Sequence, residues 1–173
     1  MVIVGHEQLI KDLKNLADQD KLSHGYIFWG PERVGKRTVA LALANYLENG
    51  NFSPDHKKIL NDCLLIQPGE NKIIGIDQVR EIKHFLSQKP NVSRRRLVTI
   101  DNGHLLTDEA QNALLKTVED PPSSALIILI IKDPESIRMT VASRLQKIYF
   151  PSISKKKIKE WLVEKQQCSP AEA

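Results

Sequence analysis

Cysteine is scarce in this chain. Cys63 and Cys168 are the only two in 173 residues, too few for a disulfide framework or a four-cysteine zinc module. Long apolar runs are missing as well. No stretch approaches the roughly 20 residues that a membrane-spanning helix needs, and neither a secretory leader nor a lipidation motif is evident. Those absences make the reduced cytoplasm the expected compartment. There is no internal repeat and no low-complexity tract. Aromatic residues make up only 5% of the chain, and none interleaves with the basic runs as a single-strand stacking platform would require. Charge of one sign is not dominant either: the net charge is +4 and the pI about 9.0, compatible with work on nucleic acid but not proof of it.

What remains is an ordinary globular composition, 41% hydrophobic and 27% charged, in a chain long enough for one α/β domain with its own core. Helices are expected over Gly5–Asp20, over Val39–Leu47, from Ile76 to Pro90 and from Thr107–Asp108 to Pro121–Pro122, where apolar residues recur on one face. Tyr26–Trp29, Cys63–Ile66, Arg96–Asp101, Ala125–Ile131 and Lys147–Phe150 are expected as strands. The seven apolar residues of Ala125–Ile131 mark a central parallel strand. Asn49–Asn61, with its His56-Lys57-Lys58 cluster, reads as a loop. Pro134–Arg144 reads as a helical stretch or two short turns. Strands alternating with helices predict a five-stranded parallel sheet covered on both faces. A boundary is expected after Pro151: a core over residues 1–151, then the beginning of a helical lid over 152–173, opening with a helix at Ser154.

The densest chemistry lies in Gly30-Pro31-Glu32-Arg33-Val34-Gly35-Lys36-Arg37-Thr38. A phosphate-binding loop needs Gly, four residues, Gly-Lys and then Ser or Thr, between a strand and a helix. Gly30, Gly35 and Lys36 satisfy it, so backbone N–H groups, the helix N-terminus and a lysine are available to an anion. Arg37 stands where the Mg²⁺-binding hydroxyl belongs, and a guanidinium only donates. Thr38 is one residue late, a rotation of about 100° on a helix. The loop therefore either holds ATP or ADP, with magnesium in doubt, or serves only as a strand–helix connector. A second position points the same way. Arg96–Asp101 ends in an acid suited to a metal, but Asn102 follows it, and an amide cannot accept a proton from water as a carboxylate can.

Beyond these residues the chain resembles the clamp-loader AAA+ ATPases, and among them the delta-prime subunits of bacterial DNA polymerase III. Asn112-Ala-Leu-Leu-Lys-Thr-Val-Glu-Asp-Pro-Pro122 is very close to the family's Asn-Ala-Leu-Leu-Lys-Thr-Leu-Glu-Glu-Pro-Pro. Ser23–Phe28, Ile76–Glu81 and Ser143-Arg144-Leu145 match weaker signatures, the last with Leu for Cys. The resemblance implies an AAA+ core, a lid whose second helix starts near Ser169, and a collar that builds a five-subunit ring. The chain is expected to stop inside the lid. It implies as partners a motor ATPase subunit, the clamp-opening delta subunit, the sliding clamp indirectly and primer-template DNA. It also implies that Arg144 acts as an arginine finger, reaching the ATP of a neighbouring subunit. The family's γ-phosphate sensors fall on Ile131 and Lys132. Many relatives carry zinc; here none is expected. Arg37, Asn102 and Ile131 all depart from a working ATPase, so the expectation is a stator without ATPase activity of its own. A catalytically active, gamma/tau-like clamp-loader ATPase and a stand-alone nucleotide-binding protein stay open as alternatives.

Four further features have plainer expected roles. Arg94-Arg95-Arg96 reads as a solvated turn in preference to a DNA contact, and Lys155-Lys156-Lys157 as the wet face of the lid helix. His24 reads as a satisfied structural histidine. Leu114 and Leu115 read as core, with Lys116 and Glu119 at the helix's exposed edge.

Overall fold

A computed structural model describes residues 3–54 and 59–166. His56–Lys58, Cys168 and the expected second lid helix lie outside the described residues. Five parallel strands run in the order β2 (Cys63–Ile66), β3 (Arg96–Ile100), β4 (Ala125–Ile130), β1 (Gly25–Trp29) and β5 (Gln146–Tyr149). The apolar run is the middle strand, as its composition requires: every residue of β4 is buried. Leu126, Ile128 and Ile130 face one layer, with α1 (Glu7–Asp18) and α2 (Lys36–Asn49). Ala125, Ile127 and Leu129 face the other, with α3 (Ile76–Ser87), α4 (Asp108–Glu119) and the short α5 (Met139–Ala142). The period of two along a strand thus divides one apolar segment between two cores. Among the described residues no helix is long and apolar enough to cross a membrane.

Element ends differ from expectation by a few residues. α2 starts at Lys36, three residues before the apolar periodicity begins, because Gly35 (φ 98°) turns the chain directly into the helix. The ladder runs one bond past β4 and β5, through Ile131 N–H to Phe28 O (3.0 Å) and Phe150 N–H to Trp29 O (2.8 Å). Pro134–Arg144 resolves into two short turns, a 3₁₀ turn at Pro134–Ser136 and α5. A 3₁₀ turn at Gly103–Leu105 has no apolar period to announce it. α6 (Lys155–Gln166) follows β5; Lys155, Lys156 and Lys157 are all exposed, and Lys157 Nζ reaches Glu7 Oε2 (2.7 Å).

Two expectations need correction. Arg94–Arg96 is not one solvated turn. Arg94 is exposed, but Arg95 pairs with Asp20 (3.3 Å) and Arg96 is only 4% exposed. Arg96 is the first residue of β3, so the strand carries it inward, where Asp62, the Lys89 carbonyl and the Phe85 ring receive it. Nor is His24 satisfied: its Nε2 is buried without a hydrogen-bond partner among the described residues.

Gly30 shows how tightly β5 constrains the loop. A Cβ at this position would sit 2.3 Å from the Phe150 carbonyl oxygen, and its φ is 135°. Gly35 has a positive φ too, but open space around it. Gly30→Ala is therefore expected to cost about 2–3 kcal/mol, against roughly 1 kcal/mol for Gly35→Ala. Thermal unfolding of the two variants side by side checks the order.

Candidate functional site

The loop after β1, the first turn of α2 and the end of β3 converge on one cavity of about 340 Å³. Glu32, Arg33, Gly35, Lys36, Arg37 and Thr38 line one side; Asp101 and Asn102 line the other. This is where a parallel sheet offers a ligand site, at the carboxyl ends of its strands. Most of the predicted loop and strand-end residues are thus brought together. Gly30 joins them through its carbonyl, which accepts from Lys36 Nζ at 2.5 Å.

Lys36 is 7% exposed and folded back on its own loop, donating also to the Pro31 carbonyl at 2.6 Å. Burial lowers its pKa from the ordinary lysine value; Glu32 and Asp101 act against that shift, and Lys132 with it. Lys132, one of the two residues at which the sensors are expected, pairs with Glu32 at 3.7 Å and accepts the Gly30 N–H at 3.2 Å through its carbonyl. Ile131 is buried at 1% exposure and offers the cavity no polar side chain.

Arg37 makes a contact that its position in the motif does not foretell. Its guanidinium reaches across to Asp101 Oδ2 at 3.4 Å. The other carboxylate oxygen, Oδ1, accepts the N–H of Asn102 at 3.0 Å. Both oxygens that could face a metal are engaged. Magnesium needs several oxygen ligands in near-octahedral array, and here a cationic donor lies against Asp101 while Glu32 faces Lys132. These residues do not fit a magnesium ion. Asn102 itself adopts φ 55°, a left-handed conformation that asparagine tolerates well, and opens the 3₁₀ turn at Gly103.

Arg144 lies apart from this cavity, just beyond α5. Its guanidinium bonds Glu119 Oε1 at 2.5 Å and the Thr140 carbonyl at 2.6 Å. Both charged side chains are more than a third exposed, so the pair is a surface one, worth about 0–1 kcal/mol.

With this geometry in hand, comparison with known proteins decides the family. The model for "DNA polymerase III, delta subunit" matches residues 5–154. The chain belongs to the DNA polymerase III clamp-loader family. Clamp-loader relatives include the DNA polymerase III subunit tau of Bacillus subtilis, 33% identical over 90% of this chain and 30% of that protein. Another is the subunit delta' of the same organism, 30% identical over 94% of this chain and 52% of that protein. The chain thus spans about half, or less, of the length of these relatives. Among solved structures, a DNA polymerase III gamma subunit-related protein from Thermotoga maritima shares 29% identity with a TM-score of 0.72, over 90% of this chain and 49% of that one. The RuvB Holliday junction branch migration motor of Thermotoga maritima, 16% identical with a TM-score of 0.67 over 92% of this chain and 50% of that one, shares the fold. The sheet order and layers are those of AAA+ proteins.

The clamp-loader match contains the loop, Asp101–Asn102 and Arg144 alike. Four contributors do not follow from the motif. Glu32 and Arg33 occupy variable positions of the loop pattern, and Arg33 takes φ 61°. His6 Nε2 bonds the Val34 carbonyl at 2.8 Å and its ring lies 4.9 Å from that of Phe150, bracing the loop from below. Glu119 was legible only as an exposed helix edge.

Proposed function

We propose that this chain is a delta-prime-type stator subunit of a bacterial DNA polymerase III clamp loader, acting in the cytoplasm to help place the sliding clamp on primed DNA. The observation that carries the reading is the Arg37–Asp101 ion pair, which closes the metal position of its own site. A subunit so altered contributes little to hydrolysis in cis. It can still lend Arg144, which stands on an exposed surface held by a weak pair, to the nucleotide of a neighbour. Asn102, in place of the water-polarising acid, and Ile131, in place of a polar sensor, support the same reading. Its partners are then the motor ATPase subunit and the clamp-opening delta subunit, with the sliding clamp reached through them.

Reconstitution tests it. Mixed with motor and clamp-opening subunits, the full-length protein is expected to enter one stable complex, read by native mass spectrometry, and to be required for clamp loading. Turnover of Mg·ATP by the protein alone would argue for a motor subunit. Failure to enter any such complex would argue for a stand-alone nucleotide-binding protein.

A further inference from the structure

Arg37 does more than delete a hydroxyl. It puts a fixed positive charge against Asp101 (3.4 Å), on the side of the cavity where a metal-binding carboxylate would meet a divalent cation. We propose that Arg37 is a built-in replacement for that cation, so that the cavity takes a nucleoside diphosphate or triphosphate as its metal-free anion. The inference rests on the phosphate-loop reading of Gly30–Thr38, not on the stator role.

Four observations carry it. Asp101 already has one oxygen on Arg37 and the other on the Asn102 N–H, and Glu32, the other lining acid, pairs with Lys132, so each acid already faces a cation. Arg37 lines the cavity and its side chain is 41% exposed, so an incoming anion can reach it. Lys36 Nζ rests on the Gly30 and Pro31 carbonyls (2.5 and 2.6 Å), held at the loop where phosphate oxygens can take over from them as acceptors. The lining side chains carry three cations, Arg33, Lys36 and Arg37, against two acids, Glu32 and Asp101, and Lys132 stands beside them. A polyphosphate without its metal presents every oxygen to such donors, and a guanidinium can take two of them at once. A polyphosphate that keeps its magnesium brings a second cation toward Arg37, where the two repel. The cavity, at about 340 Å³, is within the range of small-ligand sites.

The test is calorimetric titration of the full-length protein with ADP, once in EDTA and once in excess MgCl₂. ADP is expected to bind in EDTA. In excess magnesium the apparent affinity should fall about tenfold, as chelation removes the competent anion. Arg37→Thr is expected to reverse the sign, so that magnesium tightens ADP. Asp101→Asn, which frees Arg37 for phosphate, is expected to tighten metal-free binding severalfold, whereas loss of a metal-holding acid would weaken it. Magnesium tightening ADP on the wild type would overturn the proposal, and so would the absence of ADP binding in both buffers. Neither result touches assembly with partner subunits. A protein that binds ADP this way yet joins no ring would sink the stator reading alone.

Discussion

On the proposed stator reading, Arg144→Ala is expected to lower ATP hydrolysis at the neighbouring site by about 10³-fold or more, with the complex still assembled. The expectation follows from where the side chain stands. Arg144 is on the turn after α5, outside its own cavity, and its side chain is more than a third exposed. Its bond to Glu119 is a surface ion pair that a neighbour's phosphate can displace at a cost of about 0–1 kcal/mol. The gain on the other side is large, because charge spreads onto the transferring phosphoryl group and a fixed guanidinium offsets it. Arg144→Lys should not restore the rate, since an ammonium cannot bridge two oxygens in the same plane. Glu119→Gln should leave assembly intact and change hydrolysis little. Single-turnover hydrolysis in the reconstituted complex, with native mass spectrometry on the same samples, reads both quantities. An unchanged rate in Arg144→Ala would leave that residue as a surface arginine and nothing more.

The second large effect concerns stability. Asp62 lies just before β2, buried, and accepts N–H bonds from Asn91, Val92 and Ser93 at 2.7, 2.7 and 2.8 Å. Arg96 lies 3.8 Å from it, also buried. Burial by itself would raise the pKa of this carboxyl, but the three N–H bonds and the Arg96 charge outweigh burial and hold it below the ordinary value. Removing the carboxylate strands three donors and a buried guanidinium together. Asp62→Ala should therefore cost about 3–5 kcal/mol, a fall of roughly 6–20 °C in Tm for a domain of this size. Arg96→Met should cost less, because Asp62 keeps its three backbone donors. The sign with pH follows from the lowered value. The stabilisation is fully present above the unfolded carboxyl value of about 4 and disappears as pH falls through the lower folded value. Thermal melts of wild type and Asp62→Ala should therefore converge toward low pH. A variant melting within about 2 °C of wild type at neutral pH would show that the residues 91–93 turn needs no such anchor.

Asp62 also marks where sequence reading runs out. Strand and helix order was legible because it rests on local periodicity: β4 is apolar throughout, and α3 and α4 each show one apolar face. The loop residues were legible because their chemistry is packed into nine consecutive positions. The contacts that give the site its character join residues far apart in the chain. Arg37 meets Asp101 across 64 positions, and Asp62 meets the turn before β3 across about 30. No periodicity encodes such pairings; they exist only once β2 and β3 lie side by side, and β4 joins β3 to β1, the strand that leads into the loop. Arg96 misled for a related reason. Three consecutive arginines look alike in sequence, yet the strand that starts at the third sends it inward.

The position of β1 has a consequence for how the chain acquires its shape. β1 lies between β4 and β5, pairing Gly25 with Ile127 and Tyr26 with Gln146. The strand that ends in the phosphate loop therefore has no strand neighbour until about a hundred further residues have been made. At roughly 5–20 residues per second, a ribosome takes several seconds to deliver them. Throughout that interval Tyr26 and Phe28 have the nearby helices α1 and α2 to pack on, but Tyr26, Ile27 and Phe28 lack the strand partners that flank them in the finished sheet. Closing a loop of this length before any sheet contact repays it is slow. Synthesis, not local propensity, thus sets the moment at which the cavity first exists.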